Sequence, residues 1–317
     1  MKQTSLPEVD KKGLFLVIEG SDGSGKTVQF ERLLAKLAES GHDVVRYDFP
    51  QYDQPSSHFV RRYLNGEYGG LDDVGPYTGS LFYALDRYEA SFGIRKALAE
   101  GKIVVCNRFV GSNMAHQGAK ITSDEERKGY YLWLDAIEFR MLGIPRPDLS
   151  LVLNVPAKMA QELVAQKEAR SYTDKKHDLH EADLGFLERS VHAYEDLCRL
   201  FPKDFTRVDC VRGKKLLPID DIHAIIWEKV QSYLPPVVAG TKSGQVSVAK
   251  VDTALVQKQP AGHFEVTSEG EAVLREIVTN TSDDVYGFSD KVSATTVAAA
   301  MARLSRRGDD MRITLLD

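Results

Sequence analysis

The 317 residues are 43% hydrophobic and 27% charged with a formal net charge of −5, which excludes a wholly disordered chain and argues against bulk attraction to nucleic acid or an anionic membrane. The length exceeds the usual single domain, so one main domain of about 200 to 230 residues with a smaller companion is expected. With no run of 18 uncharged apolar residues and no apolar leader among the first twelve, the chain reads as cytoplasmic, without membrane or nucleic-acid partners.

Residues 1–12 read as a tail. From residue 14 onward, short apolar runs at 14–19, 43–48, 102–106, 149–155 and 206–209 alternate with longer stretches of helical spacing at 27–40, 77–100, 123–141, 157–168, 180–200 and 218–233. That rhythm predicts an α/β fold, a five-stranded parallel sheet with helices on both faces, over residues 13–234. Ser123 three residues before Glu126 has the spacing of a helix-capping box. Cys106, Cys198 and Cys210 are too scattered for a metal cluster and read as reduced packing residues.

At Pro235 and Pro236 the pattern stops. Residues 235–262 have no clear period and read as a linker or extended arm. Helical spacing returns at 267–278 and 293–307, giving a small C-terminal α/β module over 263–317. The closing MRITLLD reads as a strand without a return, so the natural chain is expected to run on.

Gly20-Ser21-Asp22-Gly23-Ser24-Gly25-Lys26-Thr27 satisfies GxxxxGK[ST] between an apolar run and a helical one. Glycines let successive backbone N–H groups curl around a phosphate, and the following helix turns its positive end to the same anion. Gly20, Ser21, Gly23, Ser24, Gly25, Lys26 and Thr27 are therefore the candidate ATP-phosphate binders, with Lys26 on the β- and γ-phosphates and Thr27 offering its hydroxyl to Mg²⁺. Such a loop identifies a nucleotide, not a reaction.

Three further segments narrow the reading: Asn107-Arg108-Phe109 through Ser112, Asn113, His116 and Gln117; Leu81-Phe82-Tyr83 through Arg87; and Phe49-Pro50. With the acidic Asp22 inside the phosphate loop, residues 13–233 resemble the thymidylate kinases, a family of P-loop nucleoside monophosphate kinases. The resemblance implies ATP as donor, dTMP as acceptor, Mg²⁺ as cofactor and a homodimer. It assigns catalysis to Asp22, Lys26, Arg108 and Arg170, the last on a lid near residues 168–178. The dTMP pocket would be Asp22, Phe49, Tyr83, Arg87, Arg108, Ser112, Asn113 and Gln117, with Tyr83 stacked on thymine and Arg87 at its carbonyl. From the residues alone, Asn113 and Gln117 also read as plain helix-face positions and Tyr83 as core. Departures are Asn107 where the family usually has Asp, His116 where it has Tyr, and Tyr52 where many members place an arginine. They leave open another acceptor, such as dUMP or a deoxynucleoside, or a nucleotide-binding scaffold without turnover.

Overall fold

The computed structural model describes residues 13–70, 73–165, 184–236 and 244–248. The expected lid and C-terminal module lie outside the described residues. Six parallel strands form the main sheet in the order β5-β4-β1-β3-β2-β8. These are β1 (Leu14–Gly20), β2 (Val44–Asp48), β3 (Ile103–Asn107), β4 (Leu149–Asn154), β5 (Phe205–Asp209) and β8 (Val246–Val248). β1 is buried at every position, which is why it reads as an unbroken apolar run instead of an alternating one.

Period-two alternation sends the two sides of each strand to different cores. Phe15, Val17, Val104 and Cys106 join one cluster with Ile94 of α3 (Pro76–Ala99), Met114 of α4 (Val110–Gly118) and Tyr130 of α5 (Asp124–Asp135). Leu16, Ile18, Ile103 and Val105 face the other way, onto Phe30 and Leu33 of α1 (Lys26–Glu39) and Ile226 of α8 (Ile219–Gln231). In chain order, α6 (Ala157–Ala165) and α7 (Leu184–Leu200) come between α5 and α8. Ser123 Oγ accepts from Glu126 N, and a π-helical turn, Ala136–Met141, continues α5. A short α2 (His58–Leu64) and a β6–β7 hairpin (Val211–Arg212, Lys215–Leu216) complete the described elements.

The expected five strands become six. β8 comes from the segment read as linker and pairs with the outer edge of β2, Val44 opposite Val246. An edge strand has unpaired backbone groups that attract such an arm. Gly244 makes the approach possible, because a Cβ there would lie 1.7 Å from the carbonyl oxygen of His42.

Consecutive connections leave β1 toward β2 on one side and then toward β4 on the other, so the order reverses beside β1. Ligands of open parallel sheets bind at such a reversal, outside the strands' carboxyl ends. Gly20, Asp48 and Asn107 all stand at that rim.

Candidate active site

The loop leaving β1 has the conformation its glycines permit: Gly20, Gly23 and Gly25 have φ of 143°, 78° and 82°. Gly25 caps α1 in the left-handed region, which aims the helix's first N–H groups into the loop. Lys26 Nζ donates to Ser21 O at 2.6 Å, folding the side chain back over the curl. The hydroxyls of Ser21 and Ser24 are buried with no hydrogen-bond partner. Buried donors of this kind carry a desolvation penalty until an acceptor arrives.

Gly23 has a second role. A Cβ there would fall 2.0 Å from the carbonyl oxygen of Ala160 in α6, so no side chain fits at this point of the loop.

Arg108 follows β3 at φ 66°, the one non-glycine residue in the left-handed region among those described. Such a conformation costs on the order of 1 kcal/mol and persists where the surroundings enforce it. Here it throws the guanidinium back over the phosphate loop: Arg108 ion-pairs with Asp22 and donates to Gly20 O at 3.3 Å and Ser112 Oγ at 3.1 Å, with His116 Nε2 at 3.2 Å. Burial opposes its charge, yet neighbouring carboxylates, Asp22 foremost, hold its pKa above the ordinary value.

Beneath it, Glu19 is fully buried and receives Phe109 N at 2.9 Å and Ser112 Oγ at 2.6 Å. Burial raises the Glu19 pKa, and those hydrogen bonds and Arg108 oppose the rise. Glu19 pins the turn that carries Arg108, a role not assigned from the sequence although a lone charge in LFLVIEG was its visible signal.

An open cleft enclosing about 530 Å³, part of it solvent, adjoins the loop. Asp22, Phe49, Pro50, Tyr83, Arg87 and Arg108 are among its lining residues. Tyr83 is half-buried, its ring 6.3 Å from that of Tyr63, in a small aromatic cluster with Phe82. Arg87 makes two 2.6 Å bonds to Glu138, itself fully buried. Burial works against the Arg87 charge, and Glu138 more than restores it. Asn113 Nδ2 donates to Ser80 O and to Glu138 Oε1, both at 3.1 Å. The Oδ1 of Asn113 and both polar atoms of Gln117 are buried without partners.

The structure thus brings together Asp22, Lys26, Phe49, Tyr83, Arg87, Arg108, Ser112, Asn113 and Gln117 around one loop and one cleft. Arg170 lies outside the described residues. Where many members place an arginine this chain has Tyr52; nearby, Arg61 is held by Tyr52 O and by Ser57 Oγ at 3.1 Å, and Arg62 pairs with Glu67 at 2.8 Å. Among the described residues no three His, Cys, Asp or Glu side chains converge on a metal position. Mg²⁺ keeps most of its waters and asks a protein for few oxygen donors. The exposed Thr27 and the partnerless Oδ1 of Asn107, on the side of the sheet that faces α1, fit that demand.

A phosphate loop with a neighbouring cleft, the two bridged by one arginine, makes this a P-loop nucleotide-binding fold. Residues 18–217 match the family model described as thymidylate kinase. The chain belongs to the thymidylate kinase family and is a nucleoside monophosphate kinase. A thymidylate kinase of Mycobacterium tuberculosis (strain H37Rv) is 30% identical over 185 residues, 58% of this chain and 85% of the relative. One of Caulobacter vibrioides is 34% identical over 200 residues, 62% of this chain and 88% of the relative. The solved thymidylate kinase of Candida albicans shares the fold at a TM-score of 0.51 and 23% identity, covering 70% of this chain and 92% of that one.

Proposed function

We propose that this chain moves the γ-phosphoryl group of Mg·ATP onto dTMP, giving ADP and dTDP, with the residues below in the stated roles. The observation that carries the acceptor side is the set of partnerless amide atoms of Asn113 and Gln117 facing the cleft beside Arg87 and Tyr83. A pyrimidine edge offers both donors and acceptors and would satisfy them. Tyr83 would stack on the base, Arg87 would reach its carbonyl, and Phe49 would pack against the thymine methyl. That methyl contributes about 1 kcal/mol, enough for a modest preference over dUMP.

On the donor side, backbone N–H groups of the loop with Lys26 and the helix end would hold the β- and γ-phosphates. Mg²⁺, when bound through Thr27 and water, would neutralise charge on the phosphates. Arg108 would release part of its hold on Asp22 and span the acceptor and transferring phosphates, which a permanently charged, forked donor suits. Because Gly23 admits no side chain, further positive charge comes from elsewhere, and Arg170 on the lid is the candidate. A homodimer in the cytoplasm completes the reading; exposed Leu81 and Leu85 on α3 offer apolar area for it.

The test is a coupled ADP-release assay over dTMP, dUMP, dCMP and thymidine. It should show turnover with dTMP, a weaker rate with dUMP and neither of the others. ADP release indifferent to the acceptor would remove the assignment.

A further inference from the structure

Asn107 closes β3 at the rim beside β1, and Asp48 closes β2 next to it, the two residues being direct register partners. Alternation places both on the sheet face toward α1: Val44 and Ile103 join the α1 core, and Arg46, between Val44 and Asp48, lies 5.1 Å from the ring of Phe30. The side of α1 that begins with Lys26 and Thr27 therefore overlies this pair. Asn107 Nδ2 donates to Asp48 Oδ1 at 3.0 Å. A carboxylate accepts only, so it fixes the amide with nitrogen toward Asp48 and oxygen away. That oxygen is buried and has no partner, and Asn107 itself is 6% exposed. Asp48 exposes part of its surface; desolvation of its carboxyl raises its pKa, and the Asn107 hydrogen bond with the charges of Arg108, Arg46 and Lys26 opposes that rise.

We infer that Asp48 and Asn107 act as one unit that holds the water shell of the ATP-bound divalent cation, Asp48 supplying the negative charge and Asn107 Oδ1 the inward-facing acceptor. The assignment rests on the Mg·ATP reading above. An amide at position 107 has no charge of its own, and the neighbouring strand restores it one ladder position away. Asp48 also orients Asn107, as an outer carboxylate orients a ligand in other metal sites. The reach from β2 to the loop spans two strand spacings, about 10 Å, so contact is through metal-bound water.

Mn²⁺ is the probe. Its binding to the full chain saturated with a non-hydrolysable ATP analogue is followed by the paramagnetic resonance of the free ion. Asp48→Asn should weaken Mn²⁺ by about tenfold or more, the usual effect of losing an outer-shell partner, with the metal-free affinity for the analogue unchanged. Asn107→Leu should weaken it likewise. The exchanged variant Asp48→Asn with Asn107→Asp should recover most of the loss, since charge and amide have only traded strands. A thermal melt confirms that each variant folds. Unaltered Mn²⁺ affinity in folded Asp48→Asn, or an exchanged variant as weak as the single one, overturns the inference. Failure of the wild-type chain to bind the ATP analogue at all would instead sink the kinase reading.

Discussion

Replacing Glu138 by alanine should separate stability from recognition at the base of the cleft. Glu138 is 0% and Arg87 3% exposed at the side chain, and two 2.6 Å bonds join them. Removing one partner of a buried ion pair leaves the other charge uncompensated and costs about 3–5 kcal/mol. Asn113 loses one of its two bonds as well. For a domain of this size each kcal/mol moves the melting temperature by about 2–4 °C, so Glu138→Ala should melt roughly 10 °C or more below the wild type. The double variant Arg87→Met with Glu138→Leu removes both charges and keeps volume, so it should recover most of that loss. It should nonetheless bind dTMP poorly, because Arg87 faces the cleft. Thermal unfolding by circular dichroism and dTMP titration calorimetry read the two effects. If the double variant melts as low as the single one, the unpaired-charge reasoning is wrong. If it binds dTMP like the wild type, Arg87 is structural only.

Gly23→Ala should abolish tight binding of an ATP analogue, because its Cβ meets the Ala160 carbonyl. Gly25→Ala has open space and φ 82°, so calorimetry should find it milder, at about 1–2 kcal/mol of backbone strain. Asp196 accepts from Arg127 at 2.9 Å and Arg199 at 2.6 Å. Burial would raise its pKa, but these two arginines bring it below the ordinary 3.8. Its contribution to stability is then fully present above that pH and fades as the pH drops below it. Asp196→Asn should therefore destabilise by about 2 kcal/mol at neutral pH and match the wild type in strong acid, as denaturant melts at several pH values will show. Burial pushes the Cys198 thiol up to about 11 and Cys210 to about 12, and raises Cys106 well above its ordinary value. All three should resist a thiol reagent at pH 8 until denaturant is added; fast labelling of the native chain would contradict the packing role.

Much of the sheet was legible because buried parallel strands are continuous apolar runs. Each of the five expected strands lies within a residue of its observed ends at most positions. α4 was visible only in the four-residue spacing of Asn113 and Gln117: VGSNMAHQG is short and buried on nearly all sides, so its polar residues do not mark a solvent face. β8 is three exposed residues whose pairing depends on the free edge of β2, a condition no local pattern contains. The phosphate loop could be read because eight consecutive residues carry its chemistry. Glu138 beneath Arg87 and Asp48 beside Asn107 could not, since they meet across 51 and 59 residues. The resemblance named the arginine and the asparagine; only the folded chain supplied what holds them.

A crystal of the full chain soaked with dTMP and a non-hydrolysable ATP analogue tests the central claim most directly. The account predicts the base against Tyr83, with Arg87, Asn113 and Gln117 at its edge, and the acceptor phosphate at Arg108, in line with a triphosphate cradled by Lys26. A thymine found elsewhere, or a cleft that stays filled by its own side chains, would contradict it.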